Sequence, residues 1–127
     1  MNKKFIAILM VTLVSLTLYS YKSLNFSNPN IQGTWVSEDD ANWRMVFDST
    51  TCKWYYNNQL QDNYSYQISN SSPQCDKTVL VDSNTEYLSI TNTSDNTDKI
   101  CYEIYGLTDD TLTLRVIDRG GFLIFHK

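Results

Sequence analysis

The sequence predicts an all-β domain: a small antiparallel up-and-down β-barrel of about eight to nine strands. Three observations predict it. From residue 31 onward, apolar and polar side chains alternate in short runs rich in Tyr, Trp, Phe, Ile, Val and Thr, the pattern of half-buried strands. No stretch of that region carries a helical period, and residues 39–41 suffice for one helical turn at most. The connections are short and polar, so consecutive strands neighbour one another in a meander. Strands of this length and number close on themselves or stack as two sheets. A sandwich usually needs a long crossover, and the longest gaps, 70–77 and 93–99, are ordinary loops. Nothing in the chain blunts an open edge, so closure is expected.

The elements follow in order. Residues 31–38 make the first strand. Residues 43–48 make the second, with Trp43, Met45 and Phe47 on one face. Residues 52–57 and 64–69 make the third and fourth, joined through Asn57, Asn58 and Gln59, and Tyr64, Tyr66 and Ile68 share a face. Residues 78–82 form a fifth strand and 87–92 a sixth, where Leu88 and Ile90 lie together. Residues 100–105 are the seventh. After a turn at Thr108, Asp109 and Asp110, residues 111–117 are the eighth, with Leu112, Leu114 and Val116 alternating against Thr113, Arg115 and Ile117. Residues 122–125 close the chain. Pro29 and Pro73 both fall outside strand interiors, where a missing N–H does least harm.

Residues 1–20 read as a secretory signal: basic Lys3 and Lys4, an uncharged apolar run over 5–19, and a small residue, Ser20, at the cut. The run is short of the roughly 20 residues a spanning helix needs. No cysteine stands at the cut, so no lipid anchor is implied. Residues 21–30 form a polar tether, and 31–127 the barrel. The expectation is an exported protein, periplasmic, cell-surface or extracellular, with no membrane span after signal removal. Of ten basic and 14 acidic residues, the leader takes two basic ones, leaving eight against 14 and a net charge of −6. An acidic domain with no Lys/Arg cluster excludes nucleic acid and anionic membrane surfaces as partners.

Three cysteines, Cys52, Cys75 and Cys101, leave one unpaired if a bridge forms. The strand order reads all three at one end of the barrel. Cys75 sits in a loop and reaches either neighbour: Cys75–Cys101 is preferred, Cys52–Cys75 is the alternative, and Cys52–Cys101 spans too much of the barrel. A metal site is not expected, because His126 is the one histidine and no Cys-x-x-Cys exists. Nor is an enzyme: a Ser–His or Cys–His nucleophile has only that terminal histidine, and Asp39, Asp40, Asp109 and Asp110 read as solvated turn residues. No cofactor is implied.

Four segments, in this order, resemble the lipocalin-like domain proteins secreted or surface-exposed in Bacteroidetes-type bacteria: Ile31-Gln32-Gly33-Thr34-Trp35; Trp43-Arg44-Met45-Val46-Phe47; Cys101-Tyr102-Glu103-Ile104-Tyr105-Gly106-Leu107; and Leu112-Thr113-Leu114-Arg115. The resemblance spans the chain beyond the leader. It implies an up-and-down barrel and binding of a small apolar ligand. The chain is shorter than full-length lipocalins and shows no C-terminal helix. In that family picture Trp35 caps one end of the barrel and an arginine lies across its ring, Arg119 or Arg115, with Arg44 behind them. Gly33 lets the backbone pass close to a neighbour there.

The aromatic stock, three Trp, nine Tyr and five Phe, allows two readings. An eight-stranded barrel is just wide enough to be filled by side chains or to hold one small ligand. Any cavity is expected to be small and at the mouth opposite Trp35, with Trp43, Met45, Trp54, Tyr56, Tyr64, Tyr66 and Leu88 as candidate walls. Two functions follow: a carrier of a small apolar or amphipathic ligand, or a filled barrel that acts through its surface as an interaction or inhibitor module.

Overall fold

A computed structural model describes residues 30–71, 75, 84–117 and 119–127. Its strands are β1 (Gly33–Ser37), β2 (Trp43–Phe47), β3 (Thr51–Tyr56), β4 (Gln59–Ser69), β5 (Glu86–Asn92), β6 (Lys99–Leu107), β7 (Thr111–Val116) and β8 (Phe122–His126). Each pairs antiparallel with the next. β8 returns to β1 through Val36↔His126 and Ser37↔Phe125, so the sheet is a closed barrel. Among the described residues no helix is long and apolar enough to cross a membrane.

The short connections set the order. Asn57 and Asn58 both have positive φ, 49° and 64°, as the mirror-image two-residue hairpin turn requires and as Asn tolerates. That turn lets pairing begin at once, Tyr56↔Gln59. β4 therefore starts five residues earlier than the sequence pattern suggests, because its first residues are exposed and show no alternation. The Asp48 carboxylate accepts from the Thr50 and Thr51 amides at 2.9 and 2.7 Å and from Thr51 Oγ1 at 2.6 Å, which folds the chain from β2 into β3. The fifth strand expected at 78–82 lies outside the described residues.

This order gives the barrel two ends. The base carries residues 30–32, the β2–β3 and β6–β7 turns and the C-terminus. The mouth carries residues 38–42, the Asn57–Asn58 turn, and the β5–β6 and β7–β8 loops. Inward residues follow the period of two. They include Trp35, Met45, Phe47, Cys52, Tyr64, Leu88, Ile90, Tyr102, Leu112, Leu114 and Phe125, all buried.

Cys75 and Cys101 form a disulfide with Cα atoms 6.2 Å apart, and Cys52 is free and buried. The expectation that all three cysteines share one end is corrected. β3 begins at the base, whereas β6 begins at the mouth. Cys101 is also opposite in parity to the inward Tyr102 and stands across from Ser89. The bridge therefore fastens the β4–β5 connection to the outer wall.

Candidate functional site

The base is plugged. Trp35 is fully buried, and its Nε1–H donates to the Ile31 carbonyl at 2.6 Å. The cation over its ring is Lys127, with Nζ 4.6 Å from the centroid. This corrects the expected arginine. Arg115 faces outward and pairs with Glu103 at 3.0 Å. Arg119 lies in the β7–β8 loop at the mouth, its amide bonded to the Val116 carbonyl. Arg44 reaches out to Asn58 Oδ1 at 2.7 Å and lies over the Tyr55 ring. Gly33 has φ +127°, and a Cβ there would meet the Lys127 stem at 3.0 Å, so its missing side chain is what lets the lysine cross.

The mouth is not filled. A recess of about 370 Å³ opens between β1, β2, β3 and β8. Met45 and Phe125, both nearly inaccessible to solvent, form its floor. Trp43, Trp54 and Leu123 form the walls. Ser37, Asp39, Asp40 and Arg44 form the rim. The surface it presents is overwhelmingly apolar. Trp43 is 39% exposed, high for so large a ring and explained by its place at the opening. Its indole stands edge-on to Trp54 at 6.4 Å and 80°, and packs on Tyr56 at 4.8 Å, within the range of favourable ring pairs.

Three of the seven candidate wall residues, Trp43, Met45 and Trp54, line this recess. The other four do not. Tyr56 backs Trp43. Tyr64 and Leu88 are packed in the core. Tyr66 points to the base, where its hydroxyl donates to the Asp48 carbonyl at 2.6 Å and its ring meets Phe47 edge-on. Strand parity alone missed Asp39 and Asp40, which read as solvated turn residues. Leu123 and Phe125 were recoverable, since β8 alternates and the neighbour of β1 in a closed barrel must be β8.

Asp40 Oδ1 accepts from the Asn42 amide and side chain, both at 2.9 Å. This closes the β1–β2 loop on itself, and the loop carries Asp39 and Asp40 at the rim. Trp54 Nε1 is sealed from solvent and meets no acceptor at full hydrogen-bond geometry, and its weak N–H contact with the Cys52 sulfur favours ionisation of that thiol. Burial outweighs that, and the thiol is pushed up to about 12. Tyr64 is likewise pushed up to about 12 by burial and then by the charges of Asp62 and Asp98. These groups stay neutral and unreactive at neutral pH. Among the described residues no three His, Cys, Asp or Glu side chains are grouped to hold a metal ion. No protein family, curated protein or solved structure matches the chain.

Proposed function

We propose that the protein is an exported lipocalin-like barrel that binds a small apolar or amphipathic ligand at its mouth, and that it is not an enzyme. The recess carries this reading: its volume lies at the small end of the range for ligand sites, and its walls are apolar rings with a few polar groups at the rim. It lies opposite the plugged end, as a carrier barrel needs. The rim offers Ser37, two carboxylates and an arginine already engaged by Asn58, and no nucleophile paired with a base. The Cys75–Cys101 bridge and the apolar leader support export to an oxidising compartment.

The test is titration of the folded protein with a fluorescent apolar probe. Saturable 1:1 uptake is expected. Ser37→Trp, which places a ring in the opening, should abolish uptake while the denaturation midpoint stays within about 1 kcal/mol of the parent. Absence of uptake by a well-folded protein would sink the carrier reading. One observation favours the second reading, a module that acts through its surface. Tyr105 and Phe122, 65% and 49% exposed, stack edge-on at 5.1 Å on the outer wall beside Ile124. Such a patch is a recognised mark of protein contact.

A further inference from the structure

We infer that the ligand of the mouth is an organic cation, an ammonium group carrying a short apolar tail. The inference rests on the carrier reading and adds the sign of the ligand's charge. Two features of the recess select that sign. The first is its aromatic wall. Trp43 and Trp54 stand at 80° to one another, 6.4 Å apart. The two rings touch edge to face, so a cation entering the recess lies against the wall they form together rather than between them. Ring faces carry negative potential, and paired aromatic walls are how ammonium groups are held out of water.

The second is the rim. Asp39 and Asp40 both line the recess, and the hydrogen bonds from Asn42 fix Asp40 in place. The one cation in the lining, Arg44, is directed away: its guanidinium bonds Asn58 at 2.7 Å and sits over Tyr55 at 5.6 Å. The opening thus carries two acidic residues and no cation turned toward it, on a chain of formal net charge −4. An anionic ligand of the fatty-acid type meets repulsion at that rim. A cation meets attraction there and then the ring faces, while its tail reaches Met45 and Phe125.

The experiment compares three probes of equal tail length against the purified protein: hexyltrimethylammonium, 1-hexanol and hexanoate. Binding is read by quenching of tryptophan fluorescence and by calorimetry at low salt. The ammonium is expected to bind roughly tenfold more tightly than the alcohol, a difference one cation–π contact and two rim charges supply. Hexanoate is expected to bind most weakly. Added salt should narrow the gap. The double variant Asp39→Asn and Asp40→Asn, which keeps the Asx oxygen that Asn42 uses, should bring ammonium and alcohol within about twofold of each other. Equal binding of all three probes, or preference for hexanoate, overturns the charge assignment and leaves the cavity reading standing. No binding of any probe to the folded protein overturns both. The wild-type series decides the question even where the double variant folds poorly.

Discussion

The contact of Gly33, Trp35 and Lys127 at the base yields a prediction that can be worked through. A methyl group at residue 33 meets Lys127 Cε at 3.0 Å, and the residue holds φ +127°, where an L side chain is strained by about 1–3 kcal/mol. The lysine stem is flexible, so it can yield, but yielding lifts Nζ from its position 4.6 Å above Trp35. That forfeits about 1 kcal/mol of cation–π attraction. Gly33→Ala should therefore cost about 2–4 kcal/mol in all. Lys127→Met, which keeps a long apolar stem over the ring, should cost about 0.5–1 kcal/mol. Lys127→Ala should cost more, because it also uncovers the indole. In the Gly33→Ala, Lys127→Ala double variant there is no lysine left to displace. Its cost should fall short of the sum of the single variants by about 1 kcal/mol. Urea denaturation followed by tryptophan fluorescence measures all four. For a domain of this size 1 kcal/mol corresponds to about 4–8 °C in Tm. Strict additivity would refute the steric link. A Lys127→Met variant as stable as the parent, beside a destabilised Lys127→Ala, would show that the lysine acts only as a covering stem.

The remaining predictions concern pH and the bridge. Burial raises Cys52 from 9.0 to about 12 and Tyr64 from 10.0 to about 12, and raises Tyr102 as well. These groups hold their protons in the native state after the unfolded chain has begun to lose them. Stability should be undiminished below pH 9 and fall from about pH 9 to 12, by at most about 1.4 kcal/mol per pH unit for a group ionised only when unfolded, with Cys52 contributing more than Tyr64, whose shift solvent screens. Cys52→Ala should flatten that fall, and urea midpoints at pH 8, 10 and 11 would reveal it; an unchanged slope refutes the assignment. Asp48 behaves oppositely. Hydrogen bonds, first from Thr51 and then from the Thr50 and Thr51 amides, hold it down at about 2. Its contribution is present above about pH 4 and lost as pH falls toward 2, so Asp48→Ala should remove stability at pH 6 but little at pH 2, as acid titrations of both proteins would show. Reducing Cys75–Cys101, which closes a loop with a sequence separation of 26, should cost about 3–4 kcal/mol and lower the urea midpoint accordingly. No change would mean that the outer-wall connection is already fixed without it.

Much of this architecture was legible because a strand exposes its parity. Trp43, Met45 and Phe47, then Tyr64 and Tyr66, then Leu112 and Leu114 announce an inner face by alternation alone, and the structure places all of them in or against the core except Trp43, which is exposed at the mouth. The same rule exposes the error at the base. Arg115 lies between Leu114 and Val116, so it must point outward, whereas Lys127 lies two residues beyond inward Phe125. Parity favoured the lysine, but the family picture directed attention to arginine. The rim was illegible for another reason. Asp39 and Asp40 belong to a loop with no period, and their position depends on the Asn42 amide closing onto Asp40, a three-residue geometry that composition does not reveal. The start of β4 was hidden because paired residues at a barrel mouth need no apolar face.

The base and the mouth differ for a reason rooted in side-chain size. At the base the inner face of β1 offers Trp35, the largest side chain available, and Phe47 lies in the buried core beside it. That layer is filled. Toward the mouth, β1 contributes Ser37 to the inner face, across from Phe125. A serine in that place leaves unfilled the volume that a larger side chain would occupy. Between the end of β1 at Ser37 and the start of β2 at Trp43 the chain is a loop, and it lines the rim with Asp39 and Asp40 rather than with apolar side chains. Trp43 then keeps one side exposed at the opening, although it packs on Tyr56. A sequence selected only for a filled barrel would place a larger apolar residue at 37 and bury that indole, since each unfilled methyl-sized void costs on the order of 1 kcal/mol. The recess and the exposed tryptophan are thus one fact seen from two residues. Ser37→Leu separates the two accounts: a barrel whose purpose is only to be filled should gain stability from it, whereas a carrier should lose its ligand. A variant that gains at least 1 kcal/mol in urea denaturation and still takes up the hexyl ammonium probe would refute the placement of the ligand.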